Sequence, residues 1–220
     1  NDLMPNFMEV RQTLPQFGNR PEDPWRWAAP LPAPALVFPA GTSREDQIML
    51  TQKEGYRRGV LYKYASDPGV LHCPGDVRSK LKYNSGFTFV SLSPVGGLNG
   101  EQGSIALYKL SELLHPSERM LWVEENDPRE ENLGSWEMNL GAAPIFVGSS
   151  FIDSPAVFHG NASTFNYADG HASSHKWLDS ATIKYAKSMD ANKFSSPPSA
   201  ASISRDAPFM ARQYATKTNP

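Results

Sequence analysis

The chain has one cysteine in 220 residues, Cys73, so it has no partner for an intrachain disulfide and no multi-cysteine zinc pattern. Cysteine usage therefore leaves the redox compartment open. No apolar run approaches the ~20 residues that a membrane-spanning helix needs, and the opening NDLMPNFMEVRQ lacks the charged-then-apolar layout of a signal peptide. An excess of one charge is missing too. With 21 basic and 23 acidic residues the net charge is −2, and no basic field exists to hold phosphate backbones or anionic lipid, which argues against nucleic acid as a partner. Two catalytic patterns are absent as well. There is no G-x-S-x-G elbow, and His171 and His175, four apart, lack the glutamate that a zinc helix of the H-E-x-x-H type places after its first histidine.

A hydrophobic content of 40% implies one globular domain with appendages. Residues 1–41 read as an extended proline-rich arm, with eight prolines before residue 40 that fix φ and remove backbone donors. From TSREDQIMLTQKEGYRRGVLYKYASDPG onward a helix is expected. Thr42 or Ser43 can cap it, and Glu45 and Asp46 suit the positive end of its dipole. Tyr56, Val60, Leu61 and Tyr64 would form its apolar stripe, while Gly55 and Gly59 weaken its middle and allow a break near Gly55. GFTFVSL, RMLWVEE, PIFVGSSFID and PAVFHG read as strands, KLSELLHPSER as a short helix stopped by Pro116, and the Ser/Ala/Pro-rich residues 188–220 as a tail. The fold class is α+β, with a head spanning residues 42–187.

The densest chemistry lies in FHGNASTFNYADGHASSH, where His159, His171 and His175 accompany Asp169 and Gly170. Alternation in STFNYADGHASSHKW reads as two strands joined by a two-residue type I′ turn at Asp169-Gly170. In a strand His171 and His175, four residues apart, would stand too far from each other for most metal sites. The spacing thus favours a hairpin in which His159 bonds the turn backbone or the Asp169 carboxylate, with His171 and His175 as partly exposed sheet residues. No transition-metal site built from the three histidines is expected, because no second acidic or thiolate ligand lies near in sequence. Trp25, Trp27, Trp136 and Tyr108 are candidates for stacking on sugars, although buried packing is the commoner use of such rings.

His159, nine residues, then Asp169-Gly170 and His171 resembles the signature of the prepilin-type processing-associated H-X9-DG proteins, a bacterial family of type II secretion pseudopilin-like proteins. Two further segments match in order. YKYASDPGVLHCPGD resembles the family's Cys-Pro-Ser-Asp region through Cys73, Pro74 and Asp76, with Gly75 replacing serine. KLSELLHPSERMLWVEE resembles its helix-Pro-Ser-strand element at Leu110, Pro116, Ser117 and Glu125. The matches cover roughly residues 56–178. Phe158 stands where an arginine is usual, the family's second cysteine is missing, and its Phe-Thr-Leu-Ile-Glu-type start and long apolar helix are not among these residues. The arm and the tail are not typical of the family.

The resemblance implies a pseudopilin-like head, a helix packed on an antiparallel sheet. It implies a non-catalytic structural component of a type II secretion or pilus-like assembly, at the periplasmic or extracellular face of the bacterial inner membrane. Its partners would be other pseudopilin or secretion-system subunits, and it would reach the membrane only through an N-terminal helix. No catalytic residue is assigned. His159, Asp169, Gly170, His171, Cys73, Pro74 and Asp76 are motif residues with structural roles. Related major pseudopilins bind calcium in a loop of the head, which makes Glu124, Glu125 and Asp127, with Glu130 and Glu131, candidate ligands here. No regular calcium-loop spacing is present, so a solvated acidic loop without cofactor is favoured. The alternative is a secreted or periplasmic metal-binding hydrolase using His159, Asp169 and His171. The arm yields a prediction of its own: residues 25–38 are docked, since free indoles at Trp25 and Trp27 beside ALVF would form an unexplained apolar patch. Native limited proteolysis should spare it, and rapid cleavage between Arg20 and Ala40 would show it to be free.

Overall fold

Ser43 sets the start of the first helix. In the computed structural model, which describes residues 36–99, 102, 104–127, 134–188 and 196–217, Ser43 is extended and its hydroxyl accepts the Asp46 amide at 3.1 Å. Helix α1 (Arg44–Arg57) buries Ile48, Gln52, Gly55 and Tyr56, spaced to form one helical face. Gly55 does not break it. The helix stops two residues later, where the Arg58 amide bonds back to Glu54 and Gly55 and the chain turns at Gly59. The expected stripe is therefore cut short: Val60, Leu61 and Tyr64 lie beyond the helix, and Tyr64 is exposed. Two glycines within five residues weaken the helix where continuation would need it strongest.

The main sheet is antiparallel and four-stranded, in the order β1 (Leu92–Pro94), β2 (Met120–Glu124), β5 (Ala162–Tyr167), β6 (Ala172–Lys176). A two-stranded sheet pairs β3 (Met138–Asn139) with β4 (Ser150–Phe151). The fold is α+β. In β5 the buried residues are Ser163, Phe165 and Tyr167, the alternation expected of a strand with one covered face. Phe87 and Phe89 are buried as well, but in irregular backbone: pairing starts only at Leu92, at the end of the apolar run. The KLSELLHPSER segment gives two short 3-10 turns, Leu110–Glu112 and Pro116–Glu118, ahead of β2. PAVFHG is loop, tied to the sheet by the amide of Ala156 donating to the Glu124 carbonyl.

Two further helices, α2 (Ser180–Lys187) and α3 (Asp206–Gln213), lack any strong sequence signal. The second matters most. Residues 188–220 read as a tail, yet Ile203, Ala207, Met210, Ala211, Tyr214 and Ala215 are fully buried in the common core. Helix α3 lies over β5 and β6, with the Phe209 ring packed on Phe165 and stacked on His175. The Tyr214 hydroxyl donates to the Trp136 carbonyl at 2.8 Å, and a Cβ at Gly97 would sit 1.9 Å from the Ala215 carbonyl oxygen, so only glycine permits that approach. The boundary at residue 188 does not separate a second unit among the described residues. Residues 1–35, with Trp25 and Trp27, and the acidic residues Glu130 and Glu131 lie outside those described.

A reciprocal pair of buried carboxylates fastens α3 in place. Asp206 accepts the amides of Leu178 (3.0 Å) and Asp179 (2.9 Å), while Asp179 accepts the amides of Arg205 (2.9 Å) and Asp206 (3.0 Å). Burial alone would raise the Asp206 pKa, but the His175 imidazole beside it and the amides of Leu178 and Asp179 outweigh that and hold it below its ordinary 3.8. A depressed folded-state pKa adds stability that is present above the unfolded value and lost as pH falls through the folded one. Asp206→Ala should therefore cost about 2–3 kcal/mol at neutral pH, since two buried amides lose their acceptor. Denaturant melts at several pH values test this: the gap between wild type and variant should narrow below pH 3.8.

Candidate functional site

The Cys-Pro-Gly-Asp segment folds into a tight turn because its own polar atoms close it. The Asp76 amide donates to the Cys73 carbonyl at 2.9 Å and the Gly75 amide to Cys73 Sγ at 3.3 Å. Asp76, 1% exposed, caps the following 3-10 turn by accepting the Arg78 amide at 3.0 Å. Its carboxylate also receives Arg78 Nε at 2.9 Å, Nη2 at 2.6 Å and the Ser91 hydroxyl at 2.7 Å. Arg78 then reaches across to the end of β2. Its remaining hydrogens meet Asn126 Oδ1 and the carbonyls of Glu125 and Asp127, each at 3.0 Å, and its guanidinium lies 4.9 Å from the centre of the Phe158 ring. Phe158 thus covers one face of that guanidinium.

His159 follows Phe158 and meets the same two elements. Its Nε2 is 2.9 Å from Glu124 Oε1 and 3.3 Å from Cys73 Sγ, bringing together residues 35 and 86 positions apart in sequence. Glu124 Oε2 accepts the Thr164 amide at 2.8 Å, which fixes the carboxylate. Glu124 and Cys73 are buried, while the His159 side chain is 39% exposed, so the cluster has a wet side. Gly75 lies against the imidazole, where a Cβ would come within 3.1 Å of His159 Cε1.

Cysteine, histidine and glutamate together suggest a nucleophilic triad, but the geometry differs. In a triad the acid orients the base through the ring nitrogen away from the nucleophile. Here thiol and carboxylate both address Nε2. Burial, followed by the Glu124 carboxylate beside it, pushes the Cys73 thiol up to about 11, so it is not a thiolate poised for attack.

The Asp169-Gly170 pair does form the hairpin turn, but of a different type and without His159. Only Gly170 has positive φ, at +93°; Asp169 is not in the left-handed region. The Gly170 amide donates to the Tyr167 carbonyl and the Tyr167 amide to the His171 carbonyl, giving a three-residue loop with glycine at its left-handed corner rather than a type I′ turn. The Asp169 carboxylate bonds the His171 amide at 3.1 Å and Nδ1 at 2.6 Å, and these bonds, the amide first, lower its pKa. His159 precedes β5 and the turn follows it, so strand β5 keeps them apart; the expected bond between them is replaced by the Glu124 and Cys73 contacts. The set His159, Asp169 and His171 is thus not assembled. His175 is more enclosed than a sheet-surface residue. Its side chain is 16% exposed, with its ring centre 3.7 Å from that of Phe209 and Nε2 3.6 Å from Asp206 Oδ1, so glutamate or lysine there would not be tolerated.

Among the described residues, the calcium candidates Glu124, Glu125 and Asp127 do not converge. Successive strand residues point to opposite faces, so Glu124 turns to His159 while Glu125, also buried, turns away, and Asp127 is buried beyond the strand end. Among the described residues, Cys73, Glu124 and His159 form the group able to hold a metal ion, their ligand atoms all within 4.8 Å of one another. Trp136 is fully buried and out of reach of sugars. Sequence reasoning missed Arg78 and the role of Glu124. The signal for them was weak: an arginine two residues after a motif aspartate, and a glutamate ending an otherwise apolar strand. Comparison with models of protein families, with curated proteins and with solved structures finds no match to this chain. The geometry ranks the two knots by strength. Arg78→Met should cost about 3–5 kcal/mol by stranding a buried carboxylate. His159→Ala, which frees only one exposed-side contact of Glu124, should cost about 1–2 kcal/mol. Urea denaturation of both variants checks the order.

Proposed function

We propose that the chain is the soluble head of a membrane-anchored, pseudopilin-like protein, a non-catalytic structural component of a type II secretion or pilus-like assembly at the bacterial inner membrane. The observation that supports this reading is how the motif residues use their polar groups. Cys73 and His159 face Glu124, Asp76 holds Arg78 against the carbonyls after β2, and Asp169 holds His171 within its own turn. Motif positions distant in sequence thus tie loops to the sheet. A hydrolase built on His159, Asp169 and His171 would need them in one cleft. Instead the groove lined by Tyr56, Leu61, Leu71 and Trp122 holds none of them, and the one beside the hairpin, lined by Glu118, Tyr167 and Arg212, holds only His171. The α+β class with an antiparallel sheet supports the reading at that coarse level.

Fractionation of the native bacterium with an antibody to this head, combined with chemical cross-linking, tests the reading. The protein should sediment with the envelope and cross-link to other pilin-like subunits. Recovery as an uncross-linked cytosolic monomer would reject the proposal. So would hydrolysis of an ester, phosphoester or glycoside that is lost in His159→Ala while the melting curve is kept.

A further inference from the structure

We propose that Cys73, Glu124 and His159 form a binding site for one zinc ion, with a fourth position open to water or an external ligand. Three elements supply the ligands: the turn after Leu71, the end of β2 and the loop before β5. Their donor atoms already point at one another, with Nε2 to Oε1 at 2.9 Å and Nε2 to Sγ at 3.3 Å. Around a tetrahedral zinc with sulfur at about 2.3 Å and nitrogen and oxygen at about 2.0–2.1 Å, such atoms stand about 3.3–3.6 Å apart. The ring and carboxylate need part by only a few tenths of an ångström.

The surroundings fit a site built for a cation. Nε2 faces both Oε1 and Sγ, so the three ligand atoms converge on one point, where a single metal would engage all of them. The outer contacts are those that orient metal ligands: the Thr164 amide holds Glu124 Oε2, leaving Oε1 toward the cluster, and the Gly75 amide donates to Cys73 Sγ. The missing side chain at Gly75 leaves room beside the ring, and the exposed side of His159 provides the route of entry. One thiolate, one imidazole and one carboxylate suit zinc; the thiolate argues against calcium and magnesium.

Binding exchanges one proton. The thiol gives up its hydrogen as the sulfur–zinc bond forms, and the neutral imidazole shifts its proton from Nε2 to Nδ1 to present a lone pair. A thiol must lose its proton to ligate the metal. Affinity should therefore rise about tenfold per pH unit through neutrality. This inference stands apart from the assembly role, since a metal-bound head could assemble or not.

The test uses the 220-residue chain, stripped with chelator and titrated with cobalt as a spectroscopic substitute, then with zinc against a chromophoric competitor. One equivalent of cobalt should give tetrahedral ligand-field bands and a thiolate-to-cobalt charge-transfer band with release of one proton, and zinc should displace it with no further proton released. Cys73→Ser should abolish the charge-transfer band. Glu124→Gln and His159→Ala should weaken binding more than about tenfold, and His171→Ala should leave it unchanged. A wild-type protein with no charge-transfer band at saturating cobalt would overturn the proposal, whatever the folding of the variants. A band indifferent to both Glu124→Gln and His159→Ala would overturn it equally, as the mark of a thiolate binding alone.

Discussion

A buried guanidinium is the constraint around which the rest of this head is arranged. Arg78 is 8% exposed, and a charge so placed is stable only when every hydrogen finds an acceptor. Asp76 supplies the opposite charge from two residues away, but the remaining acceptors come from Glu125, Asn126 and Asp127, at the end of a strand in the middle of the sheet. The turn that carries Cys73 therefore has one allowed position relative to β2. Phe158 closes the outer face of the guanidinium, which fixes the residue before His159 in the same step. The cluster of thiol, carboxylate and imidazole is a consequence of that geometry, since its three members flank the residues that the arginine has already brought together.

This explains how a chain with few long elements holds its shape. The strands are two to six residues long and much of the backbone is irregular, so ladder hydrogen bonding alone supplies little. Hydrogen bonds from side chains to backbone make up part of the difference. Asp67 and Asp76 cap 3-10 turns, Asp179 and Asp206 cap each other's segments, and Ser163 and Trp177 share the Ala156 carbonyl. Polar residues such as Asp76, Ser163, Asp179 and Asp206 are accordingly buried with hydrogen-bond partners.

What was legible in the sequence follows from the range over which each signal acts. The Ser43 cap, the alternation of β5 and the glycine corner of the hairpin are set by neighbours a few residues away, and the chain spells them out. The end of α1 and the turn type were less legible, because small energies decide them: a weak glycine pair in one case, and a two- against a three-residue loop in the other. The membership of α3 in the core was invisible. DAPFMARQ carries too few large apolar residues to mark it, and its burial depends on Phe165, Trp177 and Gly97, which come from elsewhere. The site shows the same limit. Cys73, Asp76 and His159 stood out by resemblance, while Arg78 was not singled out and Glu124 was named only as a calcium candidate, not as the partner of His159.

The placement of α3 bears on the order in which the molecule matures on the ribosome. Met120 bridges to Tyr214, and Gly97 closes directly over Ala215, so strands made early wait for partners about a hundred positions further along the chain. Until those residues emerge from the exit tunnel, β5 and β6 lack the Phe209 cover, and Trp136 lacks Tyr214. A nascent chain in that interval presents aromatic surface and unprotected strand edges, the features that recruit holding chaperones. Final closure of the core is thus a late event, coupled to the end of synthesis of this segment rather than to the appearance of the sheet.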